Sequence, residues 1–431
     1  MLLILLGIVG LVVMIVIGVS IPFAFGSVLM YYFWLLGGSS ATTTAVGYSQ
    51  LNSITLLAIP MFCIAGGVIE KGRIGDGLVG VINIFLGHVK GGLGMVATVA
   101  CAIFGAITGS CAACLSCIGS IMYPKLRSIG YDEGFATALL VNSAPLGLLI
   151  PPSADQILYA WSAGVSVLAC FMSTVVPGLI LVVLLCIINL IYSRKHPEIK
   201  TEEKVKLMSP QGGKRFKTGV PALLFPIIVL GGIYSGAMTP TEAAAVSILY
   251  AIPVSIYIYK GMKWRDLKSI MIETGTTTGT IMVMLFVIMI VSRYFVMANI
   301  PTLISDFLLS LSDNKYIILL MCNIFMVIIG MLMDDVSGML LCTPLLLPLM
   351  TAIGVSPIHF AAIIGVNLGM GNITPPTAPL LYIGCRLTGA PLNKVMKPTL
   401  IMLLFAWLPT LLITTYVPQV ALFLPTLCGL A

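Results

Sequence analysis

The 431-residue chain is 59% hydrophobic and only 9% charged, with a formal net charge of +7. A water-soluble core of this length could not bury that much apolar surface, so the composition excludes a soluble fold and makes bilayer lipid the main solvent. The positive balance does not indicate nucleic acid either, because Lys and Arg occupy short breaks between apolar runs instead of one exposed face.

In chain order, Leu2 to Val19 is apolar and has neither a charged n-region nor a small-residue cleavage site. It reads as a first span, expected to stay in the mature protein, and not as a secretory signal peptide. Runs long enough to cross about 30 Å of hydrocarbon occur at 2–19, 21–37, 52–69, 132–161, 164–193, 219–236, 241–259, 276–297, 357–387 and 398–420, which predicts ten crossings. Two further stretches, 92–125 and 315–350, are too long for one crossing and have small or polar centres, Thr108-Gly109-Ser110 and Asp334-Asp335 with Ser337-Gly338. These predict re-entrant helical hairpins that enter and leave on one side. The fold class is therefore an all-α polytopic membrane protein.

Placing the basic stretch 194–217 in the cytoplasm puts 20 of the 22 Lys and Arg residues inside, leaving only Arg293 and Lys315 outside. Treating either hairpin as a full crossing scrambles that segregation, so the positive-inside rule supports both the hairpins and the orientation, with both termini periplasmic. Two amphipathic helices, 74–88 and 300–312, each precede one hairpin, with Ile74, Leu78, Val81, Ile82 and Phe85 at helical spacing in the first. They read as lipid-lying connectors or as arms joining a moving part to a fixed one.

An offset of 224 residues aligns Pro124 with Pro348, Gly130 with Gly354, Gly147 with Gly371, and Pro151-Pro152-Ser153 with Pro375-Pro376-Thr377. Both halves read as arm, hairpin and interrupted span, with the hairpins opening to opposite sides. That predicts inverted-topology repeats, a feature of secondary transporters that alternate access around a midplane site. The expected organisation is N-terminal scaffold spans over 1–51, a first repeat over 52–193, the basic loop, scaffold spans over 218–260 and a second repeat over 261–431.

The interruptions carry the chemistry. Asn142-Ser143-Ala144-Pro145-Leu146-Gly147 precedes the first Pro pair, and Asn367 to Thr374 precedes the second. Gly and Pro disfavour a continuous helix there, and the freed backbone groups persist at membrane depth only where protein or a polar cavity meets them. Carbonyls with Asn, Ser and Thr oxygens suit sodium, while half-helix N-termini suit an anion. The candidate sodium ligands are Ser110, Asn142, Ser143, Pro145 and Gly147 at the first break, and Asp334, Ser337, Gly338, Asn367, Gly369, Asn372 and Thr374 at the second. Candidate substrate contacts are Ser110, Pro152, Ser153, Pro376 and Thr377. A plain proline kink is the alternative for each break. Solvation near the periplasmic mouth is the alternative for the Asp pair, since adjacent intramembrane carboxylates are otherwise expensive.

Ile59-Pro60-Met61-Phe62 with Ala65-Gly66-Gly67, the run Thr239 to Val246 and the run Gly371 to Thr377 resemble segments of the large (M) subunit of tripartite ATP-independent periplasmic (TRAP) transporters, in their order and spacing. The resemblance extends over nearly the whole chain. It implies an elevator mechanism, sodium coupling, a small four-helix membrane subunit expected as a separate polypeptide, and a soluble periplasmic binding protein. It also implies an organic acid substrate, either a C4-dicarboxylate or sialic acid and related sugar acids, with the stretch from Gly371 to Pro425 closer to the sialic-acid branch. Glu242 is read as a capping residue of a scaffold span.

A stand-alone sodium-coupled dicarboxylate carrier would share nearly all these features. A channel would need a continuous pore with a ring of equivalent groups. Catalysis is not supported: His88, His196 and His359 lie in connections or turns with no convincing Ser or Cys partner. Cys111, Cys114 and Cys117 share one helix with no second pair to close a zinc tetrahedron, which leaves them as packing residues.

Overall fold

The computed structural model describes residues 2–37, 39–201, 210–312 and 314–430. The central part of the expected basic loop, 202–209, lies outside the described residues. Every regular element among the described residues is helical, as lipid demands of a backbone that must satisfy its own hydrogen bonds. Among the described residues, eight helices are long and apolar enough to cross a membrane, nine if the pair Glu133–Leu149 and Ala154–Ala163, bent by 41°, counts as one span.

The two N-terminal spans of the sequence reading are shorter than expected. Leu2–Val16 and Ile21–Leu35 hold 15 residues each, about 22 Å of helix. They fold back on each other, with Gly7 against the Tyr32 ring. Helix Ser40–Leu51, absent from the sequence reading, follows them. Its SATTTAVGYSQL sequence lacks an apolar run, yet Gly47 fits against Phe286 and Ile290 of the long helix Asp266–Met297, and Thr43 Oγ1 lies 3.1 Å from the Tyr294 hydroxyl. That long helix begins ten residues before the expected span at 276.

The first hairpin is Gly92–Thr108 followed by Cys111–Ser128. Its tip turns through Gly109 in the left-handed region, at φ +61°, where a side chain would be strained. The interrupted helix that follows runs Glu133–Ser143, Leu146–Leu149 and Ala154–Ala163. Asp132 caps its start by accepting from the Gly134 and Phe135 amides at 2.8 and 3.2 Å. The second half of the chain repeats the order: Ile300–Leu311, hairpin limbs Lys315–Leu332 and Asp335–Ala352, then Pro357–Gly371 and Pro379–Thr388.

The packing of these two sets corresponds pairwise. Gly105 of the first hairpin meets Gly147 of the first interrupted helix, and Gly330 of the second hairpin meets Gly371 of the second. Ala154–Ala163 packs on hairpin limb Asp335–Ala352, while Pro379–Thr388 packs on hairpin limb Cys111–Ser128. Each hairpin therefore receives the far half of the other set's interrupted helix. The two breaks touch at the centre, where a Cβ on Gly369 would lie 3.4 Å from the Pro145 Cβ.

Around this body, Ala58–Lys71 packs on Pro240–Pro253 and Asp266–Met297, and the amphipathic helix Ile74–Leu86 packs on Pro210–Tyr234. Ile74, Leu78, Val81 and Ile82 are buried, so this helix is held by protein; only Phe85 of the five spaced residues is exposed. The polar ends of several elements meet in pairs. Gly72 abuts Gly261, Gly91 abuts Ser193, the Lys200 amide donates to the Ile129 carbonyl, and Lys394 pairs with Glu133 at 2.6 Å.

Candidate functional site

At the first centre the hairpin tip rests on the break. A Cβ on Gly109 would lie 3.2 Å from the Ala154 amide and 3.4 Å from the Pro152 carbonyl, and one on Gly147 would lie 3.7 Å from the Ser110 carbonyl. Ser110 caps the second limb by accepting from the Ala113 amide at 3.4 Å. Ser110, Gly147, Pro152 and Ser153 are thus brought together. Asn142 is fully buried; its Nδ2 donates to the Ala138 carbonyl at 2.8 Å, while Oδ1 has no hydrogen-bond partner. Ser153 Oγ is likewise buried and unpartnered. Ser143 is turned away, donating to Thr98 Oγ1 at 3.1 Å. Pro145 faces Gly369 of the other break.

At the second centre Asp334 precedes the hairpin's second limb, and Ser337 donates from Oγ to its Oδ1. Asn367 donates from Nδ2 to the Ile363 carbonyl at 2.8 Å and to Asn323 Oδ1 at 3.0 Å, leaving its own Oδ1 buried and unpartnered. With its carboxamide nitrogen turned toward the tip, Asn372 would donate to the Gly330 and Met333 carbonyls at 3.1 and 3.2 Å. Gly338 packs on the Leu368 side chain and Gly369 on the Trp407 ring, so the Cα faces of both meet apolar groups. Thr374 Oγ1 donates back to the Met370 carbonyl at 2.6 Å. The two Pro pairs differ in setting: Pro152 and Ser153 are buried, Pro376 and Thr377 exposed.

Buried polar atoms without partners are costly unless something else meets them. Asn142 Oδ1 and Ser153 Oγ at one break, and Asn367 Oδ1 at the other, are neutral oxygens of the kind a small hard cation takes. Among the described residues, no group of three His, Cys, Asp or Glu side chains is placed to hold a metal ion, and Cys111, Cys114 and Cys117 all lie on one limb.

The sequence reading missed two sets of residues. Asp155 directly follows the first break, is 2% exposed, has an Oδ1 without a partner, and interacts electrostatically with Asp335 and Asp334 of the second hairpin. The signal was an Asp directly after Pro-Pro-Ser-Ala in an apolar run. The second set joins the expected Ser110 in lining a cavity of about 400 Å³ between the first hairpin tip and the surrounding helices. Thr108, Ser110 and Ser116 form one wall; Glu70 and Lys71 from Ala58–Lys71, with Glu273 and Thr277 from Asp266–Met297, form the other. Only long-range packing joins these walls, so no sequence spacing announced them.

Comparison with known proteins agrees with this architecture. Residues 8–420 match the family described as "Tripartite ATP-independent periplasmic transporter, DctM component". The C4-dicarboxylate TRAP transporter large permease protein DctM of Pseudomonas aeruginosa is 34% identical over 88% of this chain and 87% of its own length. The sialic acid TRAP transporter large permease protein SiaM of Vibrio cholerae is 29% identical over 88% and 87%. Among solved structures, the Alcanivorax borkumensis YdaH transporter, described as having an unusual topology, superposes with a TM-score of 0.61 over 87% of each chain at 15% identity, a likeness of fold alone. With the family match covering nearly its whole length, the chain is a multi-pass membrane protein belonging to the DctM component family of TRAP transporters.

Proposed function

We propose that this large permease imports an organic acid together with sodium, by an elevator movement of the hairpins and interrupted helices against the surrounding helices. The observation that carries the reading is the pair of breaks, each met by a hairpin tip and each holding buried oxygens without partners: Asn142 Oδ1 and Ser153 Oγ at one, Asn367 Oδ1 at the other. Sodium in these places would satisfy atoms that otherwise carry a desolvation cost. Ser110, Asn142 and Ser153 would hold one ion, and Asp334, Ser337 and Asn367 the other. Ser143, which bonds Thr98, is not among the ligands in this reading.

The segregation of Lys and Arg along the chain supports placing the basic stretch in the cytoplasm of a bacterial inner membrane, with both termini periplasmic. The two hairpins then open to opposite sides, as inverted repeats require. The substrate class follows the relatives, whose names include a C4-dicarboxylate and a sialic acid permease. A periplasmic binding protein and a small membrane subunit complete the assembly. The test is uptake of labelled N-acetylneuraminate and of labelled succinate into proteoliposomes that hold this chain with its small subunit, with and without the binding protein. Uptake of one acid that requires the binding protein supports the tripartite reading. Saturable uptake without it would make the chain a self-sufficient carrier of the same fold.

A further inference from the structure

The cavity beside the first hairpin tip has hydroxyls on its moving wall and charges on its fixed wall. Among the described residues, Lys71 is the only basic one that lines it. Lys71 is the last residue of helix Ala58–Lys71, and its Nζ lies 2.6 Å from Glu273 Oε2 of helix Asp266–Met297. The side chains are 40% and 68% exposed and both line the cavity, so water filling that cavity would screen the pair and leave it a small part in holding the helices together. Those helices are already in contact one turn away, where Gly67 sits against Thr274 and Ile270. Gly66 meanwhile rests on Thr108 of the hairpin, which brings this helix to the moving wall. An ion pair that is structurally dispensable, solvent-accessible and at the rim of a 400 Å³ cavity can exchange its anion at little cost.

We propose that Lys71 is a substrate contact: on the side where the cavity opens, its ammonium leaves Glu273 for the carboxylate of the organic acid released from the Ser110 tip. This assignment rests on the organic-acid transport reading and gives the fixed helices a part in it. Glu273 acts as the resident partner, occupying Lys71 when no substrate is there and taking it back as the acid departs, while Glu70 beside it is the second carboxylate that faces the ammonium. A single long, flexible cation suits that exchange, because its contact is one point charge and not a bidentate grip. The volume lies within the range of ordinary small-molecule sites and accommodates a molecule the size of a dicarboxylate or sugar acid.

The two partners predict opposite effects, which separates substrate contact from a structural pair. The experiment measures apparent Kd for N-acetylneuraminate and for succinate, each beside its methyl ester, from the melting temperature of the purified chain with its small subunit. Sodium-driven uptake of the acids by the same variants is measured in parallel. Lys71→Gln is expected to weaken binding of the transported acid about tenfold and leave its methyl ester unchanged. Lys71→Arg retains most of the affinity, and Glu273→Gln tightens it a few-fold by freeing the ammonium. Equal effects of Lys71→Gln and Glu273→Gln, or an unchanged Kd and uptake half-saturation in Lys71→Gln while the wild type transports normally, would overturn the assignment and leave the transport reading intact. Failure of the wild type to bind or transport either acid would count against both.

Discussion

Gly105 and Gly147 lie so close that a Cβ built on Gly105 would sit 2.4 Å from the Gly147 Cα. No real Cβ contact with backbone is that short, so the first hairpin and the first interrupted helix can pack only while this position has no side chain. Gly371 repeats the relation in the second half, with its Cβ position 2.6 Å from the Gly330 Cα. Gly105→Ala and Gly371→Ala are each expected to destabilise the protein by about 1–3 kcal/mol, the usual cost of overpacking a dense site. Gly80→Ala, where nothing lies within 4 Å, is the control and should be neutral or mildly stabilising. Thermal melting followed by size-exclusion chromatography checks all three; equal melting temperatures would contradict the close approach.

The orphaned oxygens give the sodium prediction. Asn142→Ala and Asn367→Ala each remove a buried Oδ1 that has no protein partner, and each is expected to raise the sodium half-saturation of uptake about tenfold, equivalent to about 1.4 kcal/mol. Asn367→Asp keeps the shape and an oxygen at the break, so it should retain more sodium affinity than Asn367→Ala even though the Asn323 contact is altered. Ser110→Ala is expected to weaken sodium dependence as well. Wild-type sodium activation in all of these variants would remove the cage assignment.

Accessibility tests whether the two hairpins open to opposite sides. Gly109 and Gly338 are poor labelling positions, the first for its left-handed backbone and the second because a Cβ there meets Leu368 at 2.8 Å. Ala112 is exposed at the first tip and Val336 is partly exposed at the second. Ala112→Cys should react with an impermeant maleimide from the cytoplasmic side and Val336→Cys from the periplasmic side. The background must lack the exposed Cys428 and the partly exposed Cys63, Cys186 and Cys385. Labelling of both positions from one side in every condition would contradict inverted hairpins.

Helix Pro240–Pro253 begins with a reciprocal cap. Glu242 N donates to Thr239 Oγ1 at 3.3 Å, and Thr239 N donates to Glu242 Oε2 at 2.8 Å. Thr239→Ala should therefore lose about 1 kcal/mol of stability without changing the sodium or substrate half-saturation. A change in either transport constant with an unchanged melting temperature would instead place this turn in the transport path.

How much of this was legible depended on which force left a trace along the chain. The breaks were readable because Pro and Gly oppose helix locally; the helices end at Ser143 and at Gly371, inside the runs singled out. The capping role of Glu242 was readable for the same local reason. Helix Ser40–Leu51 was not, since its Ser- and Thr-rich sequence lacks an apolar run and it is held by packing on Phe286 and Ile290. The same limit hid the turn of Ser143 toward Thr98, the filling of the Gly369 face by Trp407, and the meeting of Lys71 with Glu273 202 residues away. Spacing says which residues share a helix face, whereas what arrives opposite that face is decided by tertiary packing.

The most direct test of sodium-coupled import is the initial rate of substrate uptake into proteoliposomes as external sodium is titrated against choline at constant ionic strength, with the binding protein and small subunit present. Two ion centres predict no uptake without sodium and a sigmoidal rise with a Hill coefficient above 1 as sodium increases. Uptake at full rate in choline alone would contradict the account.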